Sequence, residues 1–228
     1  IVTSATYRQD AKVSKELLAR DPYNRLLARG PRYRLDAEVI RDLMSKASGR
    51  LSQKMYGPSV YPPQPAGVTA VAYGATKWNV SKGENRYRRS LYTFSKRTAP
   101  FAAFTTFDAS SGEGCLARRN RSNTPLQALT LLNDAMFVEL AQHLAIETEK
   151  IASEKRIEFL FRKFLTRPPS SNEATLMKQF LEIQRQRLGK GELKASQIIG
   201  QKNATAEQAA LALLARSIMN LDETVTKQ

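Results

Sequence analysis

The chain has 228 residues, 42% of them hydrophobic and 25% charged, with a formal net charge of +15 and a pI near 10.1. That composition fits a globular protein with one sizeable core or two small ones, and the charge points to an acidic partner or to a solvated basic face. The single Cys115 excludes an intrachain disulfide and a four-cysteine zinc site, and no apolar run approaches the ~20 residues of a membrane span.

The chain opens in mid-pattern at Ile1, with neither methionine nor signal peptide, which suggests a piece of a longer protein. Residues 8 to 20 have weak helical character, broken at Asp21-Pro22 because the residue before proline is pushed out of the helical region. Tyr23 to Ala28 suggests a short helix closed by Gly30-Pro31. A clearer helix follows over residues 37 to 48. Asp36 stands at its cap, Ile40, Leu43, Met44 and Ala47 recur at helical spacing, and Gly49 stops it. Arg41, Asp42 and Lys46 are expected on its open side.

Residues 57 to 67, GPSVYPPQPAG, hold four prolines and cannot be regular structure, so they are expected to form an extended strap pinned by Tyr56 and Tyr61. From there to Glu84 the signals are those of a loop, anchored by Trp78. Residues 86 to 95 alternate well enough to suggest a strand. Ala103 to Phe107 fits a second short strand or one helical turn, and Asp108 to Gly114 fits a loop.

The stretch from Arg118 to His143 organises the rest. Thr124-Pro125-Leu126-Gln127 is a capping-box start with proline at the first helical position. Leu126, Leu129 and Leu132 are expected to be buried. Asn133-Asp134 ends that helix and caps a second one carrying Met136, Phe137, Leu140 and Leu144. Residues 151 to 165 place Ile157, Leu160, Phe161, Phe164 and Leu165 on one face. Asn172 is the expected cap of a helix bearing Leu176, Phe180 and Ile183, and Thr205 starts a last helix over 206 to 219. Mainly α architecture follows, with a small β element and a long Pro-rich loop. The division expected is a core over 1–150 and a C-terminal helical part over 151–228 packing on it.

Charge is uneven along this plan. Residues 51 to 121 carry eleven Lys/Arg against three Asp/Glu, whereas residues 122 to 150 carry one base against four acids. Arg118, Arg119 and Arg121 precede a helix start, where guanidinium forks and free N–H groups suit a carboxylate, sulfate or phosphate. Arg88, Arg89 and Arg97 join the same basic region. The alternative is pairing with internal acids such as Asp108, Glu139, Asp222 or Glu223. No catalytic pattern stands out, and no metal site is expected. Cys115 is expected to be a buried small apolar residue and His143 a surface or core-edge residue. Nucleic-acid binding rests on charge alone, without a fold signature or a base-stacking strand pair.

Several separated motifs recur together: DPYNRLLARGPRYRLDAEVIRD, GPSVYPPQP, RRSLYTFSKRTAPF with FDAS, and CLARRNRSNTPLQALTLLNDAMFVELAQ, closed by SIMNLDETVTK. In this order they resemble the planctomycete and verrucomicrobial cytochrome-associated C-terminal domain, a domain of unknown function in large exported proteins. Ser95, where that family tends to have a bulky aromatic, and the Lys-rich start depart from it. The resemblance implies export to the periplasm or cell surface and upstream domains of the same parent as partners. It implies no cofactor in this chain, with any haem in those upstream parts. The function expected is a non-catalytic accessory or interaction domain with a basic surface, contacting an acidic protein or an anionic polysaccharide. An enzyme acting on an anionic, perhaps sulfated, polysaccharide is the alternative, and nucleic-acid binding a minor one.

Overall fold

A computed structural model describes residues 1–69 and 77–227, so residues 70–76 of the expected loop lie outside the described residues. The elements follow in order as α1 (Lys15–Arg20), β1 (Tyr33–Arg34), α2 (Ala37–Ala47), α3 (Ala102–Thr106), α4 (Pro125–Asn133) and α5 (Ala135–Glu149). After them come α6 (Arg156–Leu165), α7 (Ser171–Gly189), α8 (Ala195–Ile199), α9 (Ala206–Met219), α10 (Asp222–Val225) and β2 (Thr226–Lys227). The fold is mainly α, and the described residues include one small antiparallel sheet, pairing Tyr33 with Lys227 and Arg34 with Thr226.

The core centres on α5 and α9, which pack against each other more extensively than any other pair of elements. Their buried faces include Ala141 and Ala145 on one and Ala209, Ala212 and Ala215 on the other. Small side chains there let the two helix backbones approach closely. Leu140, Leu144, Leu211 and Leu214 fill the space beside them. α6 adds its expected face, with Ile157, Leu160, Phe161, Phe164 and Leu165 all buried. α7 is an outer helix that buries only Leu181 and Gln184, leaving Leu176 and Ile183 exposed. Its cap is Ser170, in a capping box with Glu173, rather than Asn172.

The helix starts at Thr124 and Thr205 form as the sequence predicts, each a capping box closed by a glutamine three residues on. Asp134 ends α4 and caps α5 by accepting from the Met136 N–H. Leu126 and Leu129, however, lie on the open side of α4, and Leu131 is its buried leucine. The reason is geometric: the Gln127 amide is buried, donating to the Thr106 carbonyl at 3.0 Å, and fixes which face of α4 turns inward.

The irregular middle departs furthest from expectation. Residues 86–95 form 3-10 turns, in Gly83–Tyr87 and Ser90–Tyr92, instead of a strand, with isolated bridges at Ser52–Arg88 and Val60–Thr93 as their ladder contacts. No helix forms over Tyr23 to Ala28, where Asp21 accepts the Arg25 and Leu26 N–H groups in a turn. Residues 102–106 take the helical alternative.

Arg41 is buried rather than on the open side of α2. Its guanidinium donates to the carbonyls of Arg88 at 2.7 Å and Arg86 at 3.3 Å and to the Ser90 hydroxyl at 3.2 Å. Burial lowers its pKa to about 10, a shift that the neighbouring Asp42 opposes. The strap is ordered as expected: Tyr61 stacks on Phe94, Trp78 Nε1 donates to the Pro62 carbonyl at 2.7 Å, and the Tyr56 N–H donates to the Tyr92 hydroxyl. The Tyr56 ring itself is exposed.

Candidate functional site

Tyr33 and Arg34 alternate across the short strand β1, and the preceding Arg32 continues that arrangement. Opposite them lie the 118–123 approach to α4 and the closing segment of the chain. A cleft of about 420 Å³ opens between these segments, lined by Arg32, Arg34, Arg118 and Arg121 together with Tyr33 and Asp222. Four guanidiniums therefore face one carboxylate within the lining, in the kind of concave, focused positive field that attracts anions.

Each arginine is held differently. Arg32 pairs with Asp222 across the mouth. Arg34 is 8% exposed, and its Nη2 donates to Asp108 Oδ2 at 2.5 Å and to the Phe107 carbonyl at 3.2 Å. Its Nε and Nη1 are buried without a partner. Burial works to raise the Asp108 pKa, but hydrogen bonds from Ser122 and Arg34 outweigh it and hold the carboxyl below its usual range. Arg121 lies 4.4 Å from the Tyr33 ring centroid and 3.6 Å from Asp36, and Lys227 also stands over that ring. Arg118 is exposed, and no ion pair is described for it.

The remaining arginines expected from the sequence lie elsewhere. Arg119 is bonded through both terminal nitrogens to Glu38 at 2.7 and 3.0 Å. Burial acts to raise the Glu38 pKa, but this contact prevails and lowers it. Arg88 is buried and clamps the strap, donating to the Pro58 and Tyr56 carbonyls with its guanidinium 3.7 Å from the Tyr92 ring. Arg89 lines a separate apolar groove with Val39 and Leu91 and contacts the Met55 sulfur, and Arg97 is exposed. Of the six arginines, Arg118 and Arg121 therefore share the cleft.

The acids expected to neutralise them pair instead with other arginines: Asp108 with Arg34, Glu139 with Arg86, Asp222 with Arg32 and Glu223 with Arg167. Cys115 is exposed, correcting the expectation of burial, because the 110–118 loop stands out from the core. His143 is half-buried at the core edge.

Arg32, Tyr33 and Arg34 are not singled out by the sequence, whereas Asp222 is, as an acid available to pair with arginine. An Arg-Tyr-Arg alternation was visible, but β1 has two residues and its partner lies about 190 positions away, as the Arg32–Asp222 pair shows. Among the described residues, no cluster of His, Cys, Asp and Glu could hold a metal ion, and no helix is long and apolar enough to cross a membrane.

Fold and cleft together define a mainly α domain with an arginine-lined cleft beside its small strand pair. The model of a family described as PSD1, protein of unknown function (DUF1553), matches residues 1–181, and the chain belongs to that family. No curated protein and no solved structure matches the chain.

Proposed function

We propose that this chain is an interaction domain whose cleft receives a carboxylate-bearing segment of a partner protein. The observation that carries the reading is the cleft itself, where Arg32, Arg34, Arg118 and Arg121 share a lining with one carboxylate, Asp222. A concave site lined mostly by one sign of charge attracts the opposite one. A carboxylate is the anion these guanidiniums already hold, Arg34 through Nη2 to Asp108 and Arg32 through Nη2 to Asp222.

The sequence resemblance supports a wider setting. In it the domain is an accessory part of an exported, cytochrome-linked protein, the partner is an upstream domain of the same parent, and haem belongs upstream. The core over 1–150, with 151–228 packed on it, would then be the unit that docks.

The enzyme reading needs Arg88, Arg89, Arg97 and Arg118 to converge with a free acid or tyrosine. Arg88 is instead occupied by carbonyls, and Asp108 is occupied by Arg34 and Ser122.

Titration of the purified chain with a fluorescent oligoglutamate peptide tests the proposal. Saturable binding is expected, with Arg118→Gln and Arg32→Gln each weakening it about tenfold, as loss of one charge-assisted hydrogen bond predicts. Arg97→Gln should leave it within about twofold. Equal losses at all three positions would mean diffuse charge attraction and would overturn the reading. So would stronger, site-dependent binding of a heparin hexasaccharide or of DNA.

A further inference from the structure

A second cavity, of about 410 Å³, shares no lining residue with the arginine cleft. Its volume falls in the ~300–1,000 Å³ range typical of small-molecule sites. Its lining includes the carboxyl end of α2, Ala47 to Gly49, where the Met44, Ser45 and Lys46 carbonyls already accept the Ser48, Arg50 and Gly49 N–H groups. The lining also carries Arg50, Lys150 and Lys163, with Glu147 as its acid. Glu147 is bonded to Lys150, and Lys163 and Arg50 each lie over an aromatic ring, Phe159 and Tyr87, with no carboxylate partner described.

His143 lines the same cavity, and its surroundings fix its proton. The Tyr87 hydroxyl donates to Glu139, which also accepts two bonds from Arg86. Burial acts to raise the Glu139 pKa, but Arg86 outweighs it, so Glu139 is an ionised acceptor. The one hydroxyl proton of Tyr87 is thereby committed, and the 3.1 Å contact between its oxygen and His143 Nε2 needs the proton on Nε2. Burial and the nearby Arg50 both lower the His143 pKa and favour the neutral ring. Nδ1 is then a lone-pair acceptor. It makes no described hydrogen bond, and it is not among the buried unpartnered atoms, so it is open to solvent.

We propose that this cavity binds a small hydroxylated anion of the sugar-phosphate or sugar-acid class, with a ligand hydroxyl donating to His143 Nδ1 and the charged group held by Arg50, Lys150 and Lys163. An acceptor at His143 Nδ1 and the cations that share its cavity select a ligand carrying both groups. A simple anion satisfies only half of the site, and a neutral sugar only the other half.

His143 is the only histidine, so ¹⁵N-histidine labelling of the full chain gives a single ring to observe. The free protein should show the Nε2–H tautomer. Glucose 6-phosphate or glucuronate should shift the Nδ1 resonance saturably, inorganic phosphate should shift it less, and glucose at equal concentration should not. Arg50→Gln should raise the apparent dissociation constant about tenfold. Tyr87→Phe should mix the tautomers while the chain stays folded. An Nδ1–H tautomer in the free protein would overturn the proposal. So would no saturable shift with either charged sugar, or an equal response to inorganic phosphate.

Discussion

The middle of the chain, residues 48–124, and its helical part, from Pro125 onward, reach burial by different means. In the helical part the backbone satisfies itself within helices, and the main joints are apolar: α5 on α9, with α6 against both. In the middle there is almost no regular structure, so buried carbonyls need partners from elsewhere. Guanidiniums supply them. Arg41 takes carbonyls of the 3-10 turns and Arg88 takes carbonyls of the strap, and both side chains are 1% exposed. Arg41 and Arg88, which read as surface residues in the sequence, are therefore internal scaffolding. Arg32, Arg34, Arg118 and Arg121 gather instead at the β1 cleft.

The sharpest way to break this comparison is to make one conservative and one drastic change in each region. Arg41→Met leaves two carbonyls and a buried hydroxyl without a donor and should cost about 3–5 kcal/mol, read by chemical denaturation. Phe161→Ala should cost a similar amount, about 3–5 kcal/mol, through a cavity in the α6 face. The conservative changes separate the two mechanisms. Arg41→Lys should recover little, because an ammonium cannot spread donors over three acceptors. Phe161→Leu should recover most of the loss by refilling volume. Recovery in Arg41→Lys would mean that the middle needs only a charge there.

The same contrast explains what was legible in the sequence. Apolar spacing and caps are local signals, and they give α2, α4, α5 and α9 near their observed positions and the end of α6, whose start is Arg156 rather than residue 151. Arg41 is the counter-example: its position on α2 reads as solvent-facing because its acceptors lie 45 to 49 residues further along the chain, in turns with no signature. The alternating residues 86–95 misled for a related reason. Arg88 points inward to hold the strap, and its ladder partners were never available. Likewise the candidate cleft was half-legible: Arg118 and Arg121 were visible beside a helix start, and Arg32 and Arg34 were hidden by a two-residue strand.

Ion pairs in the helical part should show a smaller, pH-dependent effect. Arg167 bridges Glu173 and Glu223, tying the start of α7 to α10. The Arg167 hydrogen bond is the main cause that lowers the Glu173 pKa from 4.5 to about 2. Since the folded value lies below the unfolded one, the stabilisation is complete above about pH 4.5 and fades as pH falls toward 2. Arg167→Gln should flatten that acid limb in a pH series of thermal melts while leaving the alkaline side unchanged. Asp134 has the opposite sign. Burial raises its pKa even though it accepts from the Met136 and Phe137 N–H groups, so its charged form opposes folding above the usual carboxylate range. Asparagine caps helices as well as aspartate does, and Asp134→Asn should be neutral or stabilising by under ~1 kcal/mol at pH 7. It should also remove the decline in stability expected as pH rises past that range.

The smallest effect is expected where local pattern and structure disagree on a face. Leu126 and Leu129 carry the helical spacing of a core stripe, yet they are 60% and 54% exposed. α4 has one polar residue whose burial outweighs that spacing: the Gln127 amide closes the capping box and also ties α4 to the end of α3. Turning the leucines inward would strand that amide, at ~1–3 kcal/mol for an unsatisfied group, which offsets much of what burying one leucine contributes. Leu129→Gln should therefore change stability by no more than about 0.5 kcal/mol. Gln127→Leu should cost clearly more, through the lost cap and the unpaired Thr106 carbonyl. If Leu129→Gln proved the more damaging of the two, Leu129 would be buried against something beyond this chain, and the exposed face of α4 would be a second contact surface.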